Sequence, residues 1–301
     1  MSVRYQLLKT GIRLMGIKKM FRLPSEKMLT MIEKLNRNRG FRVPADKKCI
    51  YEDRLILQKY HCLTMQAGPK KSKKAVLFLF GGGFLLGPDK GDYRTARDIG
   101  ERSGSDVWFP CYPLCTDHCI TAAYDMALEC YRQMLDEYAP EKISFLGFSS
   151  GAALAVGILL HSNATKSGLP MPRQVIACSP GAAPVTDVER QKARALDGKD
   201  RMVSSIFMEN ISTFMEHGQN PPLYMISGPM GDFTGLPKIY FYYGSDEVLY
   251  AEAEYFAAAC EKHGVPYHLT VGQGMCHCYP MLPWFPEGRR AYDEIVGILS
   301  Y

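Results

Sequence analysis

One serine of this sequence lies in a pattern that is typical of a nucleophile. Residues 147–151 read GFSSG, with Ser149 at the centre. An apolar run, 143–146, precedes this pentapeptide, and a stretch of small and aliphatic residues, 152–160, follows it. A strand, a sharp turn at the serine and a helix form a nucleophile elbow, which exposes the hydroxyl while the two glycines let strand and helix approach closely. The pattern predicts that Ser149 attacks a substrate.

Three consecutive glycines, Gly81 to Gly83, follow another apolar run upstream of this serine. Backbone N–H groups without neighbouring side chains can stabilise an oxyanion. A phosphate-binding loop would need a following Lys-Ser/Thr pair or a dinucleotide-binding pattern, and neither is present. The N–H of Ser150 lies at the start of the predicted helix, where the helix dipole favours negative charge. Gly82, Gly83 and Ser150 are therefore the candidates for an oxyanion hole.

A general base and an acid for this serine are found nearer the C-terminal end of the sequence. His277 follows the apolar run 267–271, and in this architecture the catalytic histidine comes last in the chain. The acid should follow the run 239–243, where Asp246 and Glu247 are adjacent. Either carboxylate could orient the imidazole and stabilise its protonated form. The order serine, acid, histidine is complete, with two choices for the acid.

The elements that must position these residues alternate along the chain. Apolar runs predicted as strands occupy residues 75–80, 106–110, 143–146, 174–178, 239–243 and 267–271. Helical patterns occupy residues 93–102, 121–138, 151–161, 251–263 and 287–299. This alternation predicts the α/β fold class, with a mostly parallel central sheet covered by helices on both faces. Two antiparallel edge strands are expected between residues 49 and 66.

Two segments interrupt this alternation. Within residues 1–45, residues 3–37 carry two helical patterns, split near Pro24. Residues 184–236 contain polar helical pieces and then a stretch rich in Pro and Gly, and an insertion of this length in a compact domain is usually functional. We expect a catalytic domain of residues 46–183 and 237–301, and a helical cap made of residues 1–45 and 184–236. The first helical pattern is basic and amphipathic, so it could lie on a membrane surface, although packing on its own domain is commoner.

The overall composition is that of an ordinary globular protein. The chain has 301 residues, of which 47% are hydrophobic and 22% charged, and a formal net charge of +5. That charge is mild and no clustered basic face is evident, which argues against nucleic-acid binding. No stretch approaches the roughly 20 apolar residues of a membrane span, and no signal-peptide pattern is seen. The ten cysteines lack the dense spacing of a disulfide scaffold, which favours free thiols and a cytoplasmic location.

A metal site is an alternative interpretation of some cysteines. Three recur at a spacing of four residues and two flank the candidate histidine. These are Cys111, Cys115, Cys119, Cys276 and Cys278. Zinc sites use cysteines at comparable spacing, but Pro110 and Pro113 disturb the regular spacing of the first two. Small buried hydrophobic residues explain the pattern better, and we expect no metal and no other cofactor.

Together these motifs resemble the hormone-sensitive-lipase-like (family IV) esterase branch of the α/β-hydrolases, over roughly residues 40–301. That family carries His-Gly-Gly-Gly before the elbow, and here Phe80 replaces the histidine. Its elbow is commonly Gly-Asp-Ser-Ala-Gly, with Phe148 and Ser150 at the variable positions here. Residues 274–280 are similar to its Gly-Met-x-His loop with a following aromatic-Pro pair, and residues 112–118 to its tyrosine-centred stretch.

The resemblance implies an α/β-hydrolase fold with a helical cap and a serine hydrolase that cleaves carboxylic esters of short to medium acyl length through an acyl-enzyme. The family's acid loop reads Gly-x-x-acid with Leu two residues later. Counted from Gly244 this gives Glu247 followed by Leu249, with Asp246 as the alternative. The implied triad is Ser149, Glu247 and His277.

The expected partner is a small-molecule ester, and a homo-oligomer is compatible with the sequence. The same fold also hosts receptors that have lost the catalytic histidine, so a catalytically weak or inactive ligand-binding protein is the alternative function. In the cap, five large side chains are candidates to limit the acyl chain. They are Phe207, Met208, Phe214, Met215 and Tyr224.

Overall fold

One mixed sheet forms the centre of the computed structural model, which describes residues 2–45 and 47–301 and, at Met15, only the backbone. Its strands are β1 Ile50–Ile56, β2 Tyr60–Gln66, β3 Ala75–Leu79, β4 Asp106–Pro110, β5 Ile143–Phe148, β6 Gln174–Cys178, β7 Lys238–Gly244 and β8 Tyr267–Gly272. Their order is β1-β2-β4-β3-β5-β6-β7-β8. Strands β3 to β8 are parallel, whereas β2 pairs antiparallel with both β1 and β4. The predicted fold class is confirmed.

The helices follow the predicted alternation. They are α1 Val3–Met15, α2 Ile17–Met20, α3 Ser25–Asn36, α4 Lys90–Ser103, α5 Ile120–Leu135, α6 Ser150–Ala164, α7 Asp187–Asp197, α8 Ser205–Glu216, α9 Leu223–Ile226, α10 Ala253–Lys262 and α11 Pro286–Ser300. The first helical pattern is divided because Gly16 adopts φ 70°, which ends α1 before the short α2. Among the described residues, no helix has the length and apolar character needed to span a bilayer.

Close packing in the centre of the sheet fixes the strand ends that carry the candidate site. Strands β3 to β6 are buried along their whole length, and α6 is buried on nearly all sides. A Cβ on Gly157 of α6 would lie 2.3 Å from the hydroxyl oxygen of Tyr124 on α5, so these helices approach as closely as a glycine allows. The loops after β5, β7 and β8 leave the same edge of the sheet, because the strands are parallel.

The two segments predicted to form a cap contact each other. The rings of Phe21 and Phe207 are 4.5 Å apart between centroids. The Lys18 ammonium lies 3.1 Å from a carboxylate oxygen of Asp197. The division into a cap and a catalytic domain stays a prediction, and Asp46, where the predicted catalytic domain begins, lies outside the described residues.

Candidate active site

Ser149 lies in a sharp turn between β5 and α6. Its backbone has φ 53° and ψ −122°, a conformation that residues other than glycine rarely adopt. Its N–H donates to the carbonyl of Cys178 at the end of β6 (2.9 Å), which ties the turn to the neighbouring strand. A Cβ on Gly147 would lie 2.2 Å from the carbonyl oxygen of Gly151, and one on Gly151 would lie 2.1 Å from that of Leu79. Only glycines fit at both positions.

His277 is hydrogen-bonded to both of its expected partners. Its Nε2 lies 3.0 Å from the Oγ of Ser149, and its Nδ1 is bonded to Oε2 of Glu247. The side chain is 5% exposed. An imidazole with a carboxylate at Nδ1 and a hydroxyl at Nε2 can accept the hydroxyl proton while the carboxylate stabilises the resulting positive charge.

The structure brings Glu247, and not Asp246, to the histidine. Glu247 is fully buried, and its Oε1 accepts hydrogen bonds from the Gly244 N–H (2.6 Å) and the Ser179 hydroxyl (2.8 Å). Burial raises the pKa of Glu247, and His277 together with these hydrogen bonds opposes that rise. Asp246 points away and pairs with the ammonium of Lys9 on α1 (2.7 Å). Of the two alternatives, only Glu247 contacts His277.

The charge state of His277 depends on two neighbours. Burial by itself would lower the pKa of His277, but the contacts with Cys278 and Glu247 outweigh it, so the pKa stands well above the usual 6.5. The Cys278 sulfur lies 3.5 Å from the Nε2 of His277. A histidine in this environment is readily protonated, which suits a base that must hold a proton between two steps.

The glycine loop lies beside Ser149 with its N–H groups available. Gly82 and Gly83 adopt φ 136° and 62°, and both line the same cavity as Ser149 and Ser150. Within the described chain, no hydrogen-bond acceptor is found for the N–H groups of Gly82, Gly83 or Ser150. Unpaired donors beside a nucleophile are what an oxyanion hole requires. The structure therefore brings all three candidates to the serine.

A tyrosine supports the loop at the position where the family histidine is replaced. The rings of Phe80 and Tyr112 stack with centroids 4.2 Å apart and planes 6° from parallel. The Tyr112 hydroxyl donates to the Phe80 carbonyl at 2.7 Å. Both side chains are buried, so this contact fixes the residue that precedes the glycines.

Sequence reasoning missed Ser179, which links the acid and the histidine loop. It follows β6 directly, adopts φ 53° and is fully buried. Its hydroxyl donates to Glu247 and accepts the N–H of Cys278 at 3.1 Å. The one available signal was a polar residue directly after a buried strand on the edge that carries the elbow.

Sequence reasoning also missed that the acid loop is attached, on both sides of Glu247, to the two segments predicted to form a cap. On one side, Asp246 pairs with Lys9, as described above. On the other side, the N–H of Val248 donates to Oδ2 of Asp200 at 2.8 Å. Asp200 is 1% exposed, and its other oxygen accepts two backbone N–H groups of its own segment, from Met202 and Val203. No local pattern reveals these contacts, because they join residues far apart in the sequence.

A cavity of about 410 Å³ lies over Ser149 and His277. Both cap segments contribute to its wall, through Ile17 and Phe21 on one side and α8 on the other. Three of the five large cap residues that the sequence suggested line it, namely Phe207, Met208 and Met215. The suggestion is wrong for the other two: Phe214 is buried outside the wall, and the Tyr224 hydroxyl bonds instead to Nδ1 of His161 (2.8 Å).

The cysteines considered for a metal site do not form such a site in the described residues. All ten cysteines are free thiols. Over residues 2–45 and 47–301, no group of three or more His, Cys, Asp or Glu side chains is arranged to hold a metal ion. The Cys111 sulfur instead lies 3.3 Å from the Tyr93 hydroxyl.

Comparison with known proteins agrees with this architecture. A family model described as the alpha/beta hydrolase fold matches residues 76–281. An acetyl-hydrolase of Streptomyces hygroscopicus is 27% identical over 240 residues, which cover 79% of each chain. The crystal structure of the esterase EstE5, soaked with p-nitrophenyl butyrate, superposes with a TM-score of 0.82 at 24% identity, covering 100% of this chain and 98% of that one.

An esterase from the bacterial hormone-sensitive lipase family is also similar in structure. Its TM-score is 0.80 at 22% identity, with 100% of this chain and 98% of that one covered. These matches confirm the α/β-hydrolase fold, and they agree with the resemblance to the hormone-sensitive-lipase-like branch that the sequence suggested. The family model matches more than half of this chain's residues, so the chain belongs to the α/β-hydrolase fold family.

Proposed function

We propose that the protein is a carboxylic ester hydrolase with Ser149 as nucleophile, His277 as general base and acid, and Glu247 as the acid of the triad. The observation that supports this most is the continuous series of hydrogen bonds from the Ser149 hydroxyl through His277 to Glu247, at the base of the cavity. The names of the relatives, an acetyl-hydrolase and esterases, agree with this class of reaction.

In the first half of the reaction, Nε2 of His277 takes the proton of Ser149 while Oγ forms a bond to the ester carbonyl carbon. The carbonyl oxygen becomes an oxyanion, which the N–H groups of Gly82, Gly83 and Ser150 stabilise. Losing one such donor typically costs about 10²–10³ in rate. The intermediate collapses when the C–O bond to the alcohol breaks and His277 protonates the departing oxygen.

In the second half of the reaction, a water molecule enters the site and hydrolyses the acyl-enzyme. His277, again neutral, removes a proton from the water as its oxygen attacks the acyl carbon. The same N–H groups stabilise the second oxyanion. Its collapse releases the acid and returns the proton from His277 to Ser149.

The substrate we propose is an ester with a short to medium acyl chain. A cavity of about 410 Å³ lies near the lower end of the range for small-molecule sites, which run from roughly 300 to 1,000 Å³. Residues 1–45 and 184–236 act as the cap that forms much of its wall. Ten free thiols are compatible with the cytoplasmic location that we also propose.

The test is the hydrolysis of p-nitrophenyl esters of graded acyl length by the purified full-length protein and by Ser149→Ala. We expect the wild type to prefer short to medium chains and Ser149→Ala to lose at least about 10⁴-fold in kcat. Ser162→Ala is the matched control, since Ser162 lies on the same helix and bonds to Ser167 away from the site.

Labelling with a fluorophosphonate probe separates this proposal from the alternative function. A reactive Ser149 is labelled in the wild type and not in Ser149→Ala. A wild-type protein that neither hydrolyses the esters nor reacts with the probe is the inactive ligand-binding member of the fold. Activity that survives Ser149→Ala would remove Ser149 from the mechanism.

A further inference from the structure

The first helix has two apolar faces, and only one of them is used for packing. Tyr5 and Ile12 of α1 are buried against the body of the protein. On the other side Val3, Leu7 and Leu14 are 77%, 69% and 82% exposed. With 3.6 residues per turn, these three positions lie within about 40° of one another around the helix axis and nearly opposite Ile12. They form an apolar stripe that faces solvent, in which Thr10 and Gly11 lie between Leu7 and Leu14.

Basic side chains accompany this stripe, and no acidic residue precedes Glu26. Three cations of this segment are turned toward the body, where they pair with carboxylates of Asp246 and Asp197. These are Lys9, Lys18 and Arg22. The other three, Arg4, Arg13 and Lys19, are exposed. On the helix, Arg4 and Arg13 lie on opposite sides of the apolar stripe.

An exposed tryptophan lies at the opening of the cavity, next to a residue that packs on α1. Trp284 is 66% exposed and lies at the wall of the cavity over Ser149. The next residue, Phe285, packs on Tyr5 of α1 with ring centroids 4.9 Å apart. The Ser2 hydroxyl, at the start of α1, donates to the carboxylate of Glu287 at 2.8 Å. The segment at the entrance is therefore attached to α1, the helix that carries the exposed apolar stripe.

We propose that this surface docks on a lipid bilayer that carries anionic headgroups. The docking face consists of Val3, Leu7, Leu14 and Trp284 with the flanking Arg4 and Arg13. A helix with a stripe of large aliphatic residues between basic ones lies in the headgroup region with its apolar side chains inserted, and tryptophan favours the same depth. Docked in this way, the protein opens its cavity toward the lipid, so under the proposed function its ester would come from the bilayer.

Charge and size favour a bilayer over a second protein as the occupant. The three exposed side chains span about 16 Å along one helix, whereas a stable protein interface buries about 800 Å² on each partner. Each basic residue near an anionic bilayer adds roughly a five-fold gain in binding, so Arg4, Arg13 and Lys19 together predict a preference on the order of 10²-fold over neutral lipid. Salt should weaken this preference.

The experiment is cosedimentation of full-length Ser149→Ala with vesicles, so that hydrolysis does not alter the lipid. We expect binding to phosphatidylcholine vesicles containing a quarter phosphatidylserine, at least 10-fold weaker binding to pure phosphatidylcholine, and a marked decrease in 0.5 M NaCl. Leu7→Ser with Leu14→Ser should reduce binding at least 10-fold, and Arg4→Gln with Arg13→Gln should remove most of the preference for anionic vesicles. Leu55→Ser, at an exposed leucine of the edge strand β1, is the matched control and should bind like the parent.

Absent binding, or equal binding to both kinds of vesicle in low and high salt, would overturn the proposal. The proposal would also be overturned if light scattering detected a dimer that the leucine substitutions convert to a monomer, because a second copy of the chain would then occupy the face. Hydrolysis of soluble p-nitrophenyl acetate by the wild type is measured in parallel. Ester cleavage without vesicle binding refutes docking alone, and vesicle binding without cleavage refutes the proposed function alone.

Discussion

The two halves of the candidate site are held in different ways. On the nucleophile side, the elbow at Ser149 and the glycine loop are fixed by backbone packing between central strands, where a Cβ on Gly151 would lie 2.1 Å from the Leu79 carbonyl oxygen. On the acid side, the loop is packed closely at Gly244, where a Cβ would lie 2.3 Å from the Met275 carbonyl oxygen, but the Glu247 side chain is held by polar contacts, most of them from elsewhere in the chain. Ser179 donates to Glu247 directly, while Lys9 and Asp200 bind the residues before and after it.

This difference has a physical consequence. Steric fit between buried backbones tolerates little change, because a packed interior can admit an extra methyl group only by a costly shift of its atoms. Hydrogen bonds and ion pairs are individually modest and depend on the position of their partners. We therefore expect that changes in the cap alter the acid side while leaving the geometry of the nucleophile side intact.

The largest effect should come from removing the charge of the acid itself. Glu247→Gln keeps the shape but replaces the carboxylate that bonds Nδ1 of His277, and the corresponding change in a serine protease costs about 10⁴ in kcat. Asp246→Asn breaks only the ion pair with Lys9, so its kcat/KM should fall less than about 10-fold. Steady-state kinetics on one ester compare the two. A greater loss from Asp246→Asn would assign the acid to Asp246.

The nucleophile side should fail by misfolding rather than by slow chemistry. Gly151→Ala places a methyl against two carbonyl oxygens of β3 and the loop that follows it, and should cost more than about 4 kcal/mol of stability. Gly297→Ala is the control, since a Cβ at this position of α11 meets nothing within 4 Å. This substitution should raise the free energy of unfolding by up to about 1 kcal/mol. Thermal unfolding followed by circular dichroism measures both, and a folded, stable Gly151→Ala would contradict the steric argument.

The same contrast explains what the sequence could predict. The strands, the helices and the elbow follow from hydrophobic periodicity and from glycine spacing, which are local properties of the chain. Residues 147–151 and 81–83 were therefore recognisable without any knowledge of their neighbours. The choice between Asp246 and Glu247 rested on a family pattern and not on physics, because adjacent carboxylates look alike until the loop is folded.

The contacts that support the acid were not predictable for a different reason. Asp200 and Lys9 are ordinary charged residues in their own segments, and only the packing of the cap brings them to the acid loop. Tyr112 belongs to a stretch that resembles the family, but its bond to the Phe80 carbonyl depends on a stacking arrangement that no spacing encodes. Long-range polar contacts of this kind follow from the fold and not from sequence patterns.

An intermediate effect should follow from loosening the acid loop through the cap. In Asp200→Asn, only one of the two terminal atoms of the side chain can still accept backbone N–H groups, so the bond to Val248 is weakened. We expect kcat to fall about 10-fold with little change in KM, because Glu247 moves while the cavity wall stays in place. Asp197→Asn, which disturbs the pairing with Lys18 and Arg22 but not the acid loop, is the control. Equal losses of kcat in both variants would mean that the cap supports stability only.

The smallest effect concerns the histidine that joins the two sides. Protonated His277 cannot take the proton of Ser149, so kcat/KM is lost as the pH falls through the pKa of His277, which lies well above 6.5. Cys278→Ala removes one of the two contacts that raise the pKa of His277, so the fall of kcat/KM at acidic pH should move to lower pH. The variant then keeps a larger share of its maximal activity at pH 6.5 than the wild type does.

Cys276→Ala is the matched control for this shift. It removes the thiol on the other side of His277 in the sequence, where the side chain is buried near Tyr5, and it should leave the acid limb in place. An acid limb that stays fixed in Cys278→Ala, or moves to higher pH, would show that Cys278 does not support the protonated imidazole. Glu247 would then be the sole source of that support, and the acid side alone would set the pH range in which the nucleophile side can act.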